Sequence, residues 1–276
     1  MVKVTPPSLL EMKKRSEKIT ALTAYDTPMT RWLNEAGMDM VLVGDSVGNV
    51  KLGYENTLPV TLEEILHHTK AASRGNSRAL LAADMPYLSY QISIDEARKN
   101  AGRLIKEGGA AAVKLEGGIE VAEIIKALVK LNIPVIGHLG LTPQAIHKIG
   151  GYKIQGKTQE AREKMMADAK VLEEAGIFAL VLECVPADLA GTITHQISVP
   201  TLGIGAGPDT DGQILVTDDL LGMTQGPVPK FVTPYADLKS EIFQALKQFN
   251  QDVKEGKYPE RSRLSFPGES IPQREP

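Results

Sequence analysis

Eight short apolar runs recur along this chain, none broken by polar alternation: Ile19–Tyr25, Met40–Gly44, Ala79–Ala83, Ala111–Leu115, Pro134–Gly137, Phe178–Leu182, Thr201–Ile204 and Gln213–Val216. Runs of that length suit the strands of a parallel sheet that is covered on both faces. Between them lie segments with helical spacing, among them Leu62–Ser73, Asp95–Glu107, Glu120–Leu131 and Gln159–Ala175. In the last, Ala161, Met165, Ala169, Leu172 and Ala175 make an apolar stripe one face wide. Gly75, Gly108-Gly109 and Gly176 stand where helices stop, and glycine accepts the left-handed cap.

About eight strand-then-helix units in 276 residues predict the α/β class and a (β/α)8 TIM barrel, which typically needs ~250 residues. An open doubly wound sheet has the same alternation and is the rival fold. Strand eight rests on Gln213–Val216, with Phe231–Val232 as the other candidate. Thr5–Lys14 reads as an extra N-terminal helix covering the barrel floor. Leu238–Val253 reads as the closing helix, with apolar residues at Leu238, Ile242, Phe243, Leu246, Phe249 and Val253. Residues 1–276 are taken as one barrel domain, and 256–276, rich in proline and charge, as a loosely ordered tail.

Thirty-one Lys and Arg against 34 Asp and Glu give a formal charge of −3. That leaves no positive excess to neutralise a nucleic-acid backbone or an anionic membrane. The single cysteine, Cys184, cannot form an intrachain disulfide. Pro6-Pro7 interrupt the start before a signal-like apolar stretch forms, and no apolar run approaches the ~20 residues of a membrane span. The expectation is a cytoplasmic globular protein with neither a nucleic-acid nor a membrane partner.

In a barrel the chemistry lies at the C-terminal ends of the strands. Several runs end there on a charged or polar residue: Asp26, Asp45-Ser46, Asp84, Lys114 with Glu116, His138 and Glu183. Carboxylates at the ends of apolar strands are costly unless paired, and acids that converge repel; a hard divalent cation is the usual relief. Asp45 and Asp84 are the first-choice metal ligands, although either alone could cap a helix. Lys114 and Glu116 are two apart and share one side of a strand. They read either as a buried ion pair or, beside a metal, as an anion anchor and an outer ligand. Glu183 closes an apolar run, an environment that disfavours its ionised form and suits a general base. Its other reading is a buried acid bonded to backbone amides. Cys184 beside that acid makes a poor nucleophile and is taken as core filling. His138 is a candidate ligand or carbonyl-orienting group; His67, His68, His147 and His195 are placed at the surface.

Gly151 to Thr158 reads Gly-Tyr-Lys-Ile-Gln-Gly-Lys-Thr and matches the P-loop pattern. A P-loop must follow directly from a buried strand, and Gln144–Gly150 is poor strand material. A flap after strand five, hinged at Gly150-Gly151, fits better. Gly203-Ile204-Gly205-Ala206-Gly207 permits either a tight turn or close approach of a ligand to the backbone.

Taken together these stretches resemble the 3-methyl-2-oxobutanoate hydroxymethyltransferase (ketopantoate hydroxymethyltransferase) family. The resemblance is carried in order by Thr23-Ala24-Tyr25-Asp26, Val43-Gly44-Asp45-Ser46-Val47-Gly48, Ala83-Asp84-Met85-Pro86, Val113-Lys114-Leu115-Glu116-Gly117 and Gly137-His138-Leu139-Gly140-Leu141-Thr142-Pro143-Gln144. Gly151-Tyr152-Lys153-Ile154-Gln155-Gly156, Leu182-Glu183-Cys184-Val185-Pro186 and Gly203 to Gly207 complete it. It implies a (β/α)8 barrel assembled as a homodecamer, with Mg2+ as cofactor and 5,10-methylenetetrahydrofolate as co-substrate. It further implies metal contacts at Asp45, Asp84 and Glu116, substrate contacts at Asp45, Ser46, Asp84 and Lys114, and the proton acceptor at Glu183. The implied reaction hydroxymethylates 3-methyl-2-oxobutanoate to 2-dehydropantoate through Mg2+-assisted enolate formation, a step of pantothenate biosynthesis. Two other functions compete: another Mg2+-dependent 2-oxo acid lyase or aldolase barrel, and a non-catalytic metabolite-binding barrel.

Overall fold

Every apolar run forms a strand in the computed structural model, which describes residues 2–151 and 153–259. The strands are β1 (Ile19–Thr23), β2 (Met40–Val43), β3 (Leu80–Asp84), β4 (Ala112–Lys114), β5 (Val135–Gly140), β6 (Ala179–Glu183), β7 (Thr201–Ile204) and β8 (Gly212–Leu215). Each pairs in parallel with the next, and β8 pairs with β1 to close the barrel. The open sheet is thereby excluded, and strand eight is the Gln213 run rather than Phe231–Val232. The tail expected from residue 256 lies, past 259, outside the described residues.

The helices are α1 (Pro6–Lys14), α2 (Thr27–Glu35), α3 (Val47–Val50), α4 (Leu62–Gly75), α5 (Ile94–Lys106), α6 (Ala122–Val129), α7 (Ile146–Ile149), α8 (Gln159–Ala175), α9 (Ala187–Gln196), α10 (Thr217–Leu220) and α11 (Leu238–Lys254). Local signals set their ends. Thr61 and Glu64 form a reciprocal capping box on α4. Thr158 caps α8, and Gly176 ends it in the left-handed conformation. Each side-chain cap is worth about 1 kcal/mol.

Alternation along the strands divides the core into two layers. Ile19, Ala21, Met40, Leu42, Leu80, Ala82, Ala112, Ile136, Val181, Leu202 and Ile214 fill the barrel, where Leu9 and Met12 of α1 join them. Val41, Val43, Leu81, Ala83, Val113, Val135, Leu180 and Leu182 belong to the outer layer, packed under the helices. α1 therefore closes the barrel floor, as the sequence suggests.

The other terminal helix corrects the sequence reading. α11 forms over the expected residues, yet none of its side chains is buried, and Ile242, Phe243, Leu246, Phe249 and Val253 are 47–67% exposed. It does not close this barrel. Nor does a helix link β7 to β8: the connection from Gly205 to Asp211 is far shorter than the dozen or more residues a parallel crossover commonly takes. Outside these strands lies a groove of about 630 Å³ lined by Lys18, Thr20, Gln213 and Phe231 among others.

Candidate active site

The strand periodicity that sends Leu80, Ala82, Ala112, Ile136 and Val181 inward carries Asp84, Lys114, His138 and Glu183 inward one layer higher, at the C-terminal mouth. Glu116 follows Lys114 by two residues and joins them. Asp45 enters from the turn after β2. A Cβ on Gly44 would stand 2.8 Å from Ser46 Oγ and 3.5 Å from Asp84 Oδ2, so glycine lets this turn close against the acid.

Five of these side chains are nearly inaccessible: Asp45, Asp84, Lys114, Glu116 and His138. The Asp45 backbone N–H donates to Asp84 Oδ2 at 2.9 Å. Lys114 Nζ lies 3.0 Å from Asp84 Oδ1, 3.7 Å from Glu116 Oε1 and 3.3 Å from His138 Nδ1. His138 stands between two carboxylates, with Nδ1 3.4 Å from Glu116 Oε1 and Nε2 3.2 Å from Glu183 Oε2. Glu183 is the most accessible of the group, its side chain 15% exposed. Ser46 is half-buried, and its Oγ lies 2.8 Å from the Tyr25 hydroxyl.

The electrostatics follow from burial and crowding. Desolvation, then the charges of Asp84 and Glu116, push Asp45 well above the usual carboxylate range. Desolvation also raises Asp84, against the pull of Lys114. Burial opposes ionisation of Glu116, but His138 and Lys114 outweigh it and hold that acid low. Burial and Lys114 depress His138; its contacts with Glu116 and Glu183 prevail and raise it to about 9. Burial lowers Lys114, yet Asp84, Glu116 and Asp45 together raise it.

Among the described residues no three His, Cys, Asp or Glu side chains form a ready-made metal cage. Two features nonetheless fit a hard cation. Asp84 Oδ1 and Glu116 Oε1 are buried and make no well-aligned hydrogen bond, meeting only the Lys114 ammonium and the His138 ring. The donors are carboxylate oxygens, and Mg2+ commonly takes only one or two of these, with waters and substrate oxygens completing the octahedron.

Asp26 does not join the cluster; it caps α2 through the Met29 N–H. His67, His147 and His195 are exposed, and His68 is half-buried against the Tyr25 carbonyl. Burial and the neighbouring Glu183 push the Cys184 thiol up to about 12, in keeping with an inert side chain. The P-loop lookalike follows α7, not a strand, so it lacks the setting that phosphate binding needs. Sequence reasoning missed Tyr90 and Gln144. Both are buried, and the Tyr90 hydroxyl lies 2.8 Å from Gln144 Oε1 and 3.0 Å from the Glu116 carbonyl. Neither lies on a strand, so no periodicity marked them.

Residues 3–261 match the model of the ketopantoate hydroxymethyltransferase family. The chain is 57% identical over 258 residues to a 3-methyl-2-oxobutanoate hydroxymethyltransferase of Thermoanaerobacter sp. (strain X514), covering 94% of each protein. It is 56% identical over 259 residues to that of Moorella thermoacetica, covering 94% of this chain and 96% of the relative. Among solved structures, a phosphonopyruvate hydrolase complexed with oxalate and Mg2+ superposes with a TM-score of 0.61 at 13% identity, covering 95% of this chain and 92% of that one. A 2,3-dimethylmalate lyase gives 0.59 at 16%, covering 97% and 93%. At such identities these structures establish the shared barrel and nothing finer.

Proposed function

The chain belongs to the ketopantoate hydroxymethyltransferase family and is an enzyme of that class, and we propose that it transfers the hydroxymethyl group from 5,10-methylenetetrahydrofolate to 3-methyl-2-oxobutanoate, giving 2-dehydropantoate for pantothenate biosynthesis. The observation that supports this most is the meeting of Asp45, Asp84, Lys114, Glu116 and His138 beside the more accessible Glu183 at one barrel mouth.

Asp45 and Asp84 would hold Mg2+, with Glu116 alongside. When bound, the cation supplies Lewis acidity toward the oxo acid. Lys114 and Ser46 bind and orient the oxo acid: the lysine neutralises its carboxylate, and the serine hydroxyl donates to an oxygen that gains charge. Glu183 takes the proton from C3, and the His138 imidazolium beside it steadies the carboxylate that does so. C3 then bonds to the one-carbon unit, water supplies the hydroxyl oxygen, and tetrahydrofolate leaves. The buried mouth limits water around the reacting carbon.

The homodecamer belongs to the same proposal. An apolar helix face as bare as that of α11 is normally covered by another chain. A cytoplasmic location fits as well: among the described residues no helix is long and apolar enough to cross a membrane.

Product assays with and without 5,10-methylenetetrahydrofolate test the reading. Formation of 2-dehydropantoate only when the folate is present is the expected result. Cleavage of a larger 2-oxo acid without folate would favour a lyase, and binding without turnover would favour a metabolite-binding barrel.

A further inference from the structure

Gln144 lies in the turn Pro143–Ala145 just after β5, buried among the acids yet without a charge of its own. Its Nε2 donates to Asp45 Oδ2 at 2.9 Å and to the Met85 carbonyl at 3.0 Å. Its Oε1 accepts from the Tyr90 hydroxyl at 2.8 Å and faces Gln91 Nε2 at 3.3 Å. The amide orientation is therefore unambiguous, because Met85 offers only an acceptor and Tyr90 is the donor on the other side. Its backbone N–H donates separately to Glu116 Oε2 at 3.0 Å.

We propose that Gln144 is a positioning residue that presents the Asp45 carboxylate to a divalent cation, with Tyr90 holding its amide in the orientation required. This rests on the reading of Asp45 as a cation ligand. One oxygen of Asp45 is tied by Gln144, just as one oxygen of Asp84 is tied by the Asp45 N–H, which leaves the second oxygen of Asp45 free of Gln144 and the second oxygen of Asp84 beside Lys114 Nζ at 3.0 Å. Untied, the Asp45 carboxylate turns about its terminal torsion, which is broad and roughly two-fold. A neutral amide can hold it without adding charge beside Asp45, Asp84 and Glu116. Lysine or arginine there would compete with the cation, and glutamate would add a further carboxylate facing Asp45.

The test uses the full-length protein, stripped of metal and titrated with MgCl2 by calorimetry. Substitution Gln144→Ala removes the Asp45 and Met85 contacts but spares the backbone donor to Glu116; Gln144→Met does the same while filling the space. Both are expected to weaken Mg2+ binding by ~10-fold or more, the usual cost of losing a hydrogen bond that orients a metal ligand. The thermal midpoint in EDTA for Gln144→Met is expected to fall, because the buried Asp45 and Met85 oxygens lose their donor. Mg2+ binding is therefore compared where every variant is folded; a purely structural role would leave the Mg2+ affinity of the folded variant unchanged. Tyr90→Phe should weaken binding less, and the double variant should fall short of additivity, since the two share one amide contact while the Tyr90 hydroxyl also meets the Glu116 backbone. Parent-like Mg2+ affinity in both Gln144 variants, or full additivity with Tyr90→Phe, would overturn the proposal. Asp45→Asn separates the two levels. If it too binds Mg2+ normally, the ligand reading falls and the proposal with it; if it loses Mg2+ while the Gln144 variants keep it, only the role of Gln144 falls.

Discussion

His138 Nε2 lies 3.2 Å from Glu183 Oε2, while Nδ1 of the same ring lies 3.4 Å from Glu116 Oε1. One imidazole thus bridges the proposed proton acceptor and a carboxylate of the proposed cation site.

Substitution Glu183→Gln keeps the size of the side chain and removes its basicity. The expected outcome is loss of C3 proton exchange from 3-methyl-2-oxobutanoate in deuterated water by at least ~100-fold, the lower end of general-base contributions. Binding of Mg2+ and of the oxo acid should change little. Proton exchange followed by NMR checks this, and exchange at the parent rate would take Glu183 out of the base role.

Lys114 is the buried cation nearest Asp84 and also close to Glu116. Lys114→Met leaves those acids without their ammonium, and removing one partner of a buried charge pair costs about 3–5 kcal/mol. Urea unfolding in EDTA should show that loss, with added Mg2+ recovering part of it, and the KM for the oxo acid should rise. Unchanged stability and KM would refute the anchoring role.

The pH dependence of the metal-free protein has a definite sign. His138 is raised from its ordinary 6.5 to about 9 by Glu116 and Glu183, after burial and Lys114 have pulled it down. The folded state binds this proton more tightly than the unfolded chain does. Its contribution is therefore complete below pH ~6.5, declines as pH rises from there, and is gone above ~9. Thermal midpoints in EDTA should fall across that window, and His138→Gln should flatten the fall. A parent protein whose midpoint rises between pH 6.5 and 9 would contradict this.

Cys184 should resist alkylation at neutral pH, since its thiol is pushed up to about 12. Iodoacetamide labelling followed by mass spectrometry is expected to reach completion only after unfolding. Rapid labelling of the native protein would show a reactive thiolate instead.

On α11, Phe243→Asp together with Leu246→Asp places charge on the exposed apolar face. The assembly is expected to break into smaller species by light scattering without loss of barrel secondary structure. An unaltered mass would remove α11 from the interface.

The sequence carries the barrel openly because a strand buried on both faces is a plain apolar run. Asp84, Lys114 and Glu116 were readable for a related reason: they continue the inward alternation of β3 and β4 past the apolar layer. The partner of Glu183 was not readable. Apolar neighbours along its run suggested an apolar surrounding, while the structure sets its carboxylate beside His138, brought close by the pairing of β5 with β6. Gln144 reaches Asp45 across 99 residues of chain, from a turn to a turn, where neither the two-residue nor the 3.6-residue period applies. α11 was visible as an amphipathic helix. Its stripe states that a face needs covering, and nothing in one chain's sequence says what covers it.

Leu9 and Met12 complete the lower end of a barrel filled by Ile19, Met40, Leu80 and Ile136, so the acids at the mouth are reached from above. For the proposed chemistry, the small oxo acid must pass down to the acids before the bulky folate arrives above it. The product beneath then waits for the spent folate to depart. Under that proposal the queue, first in and last out, would follow from a packed interior that α1 only completes from below.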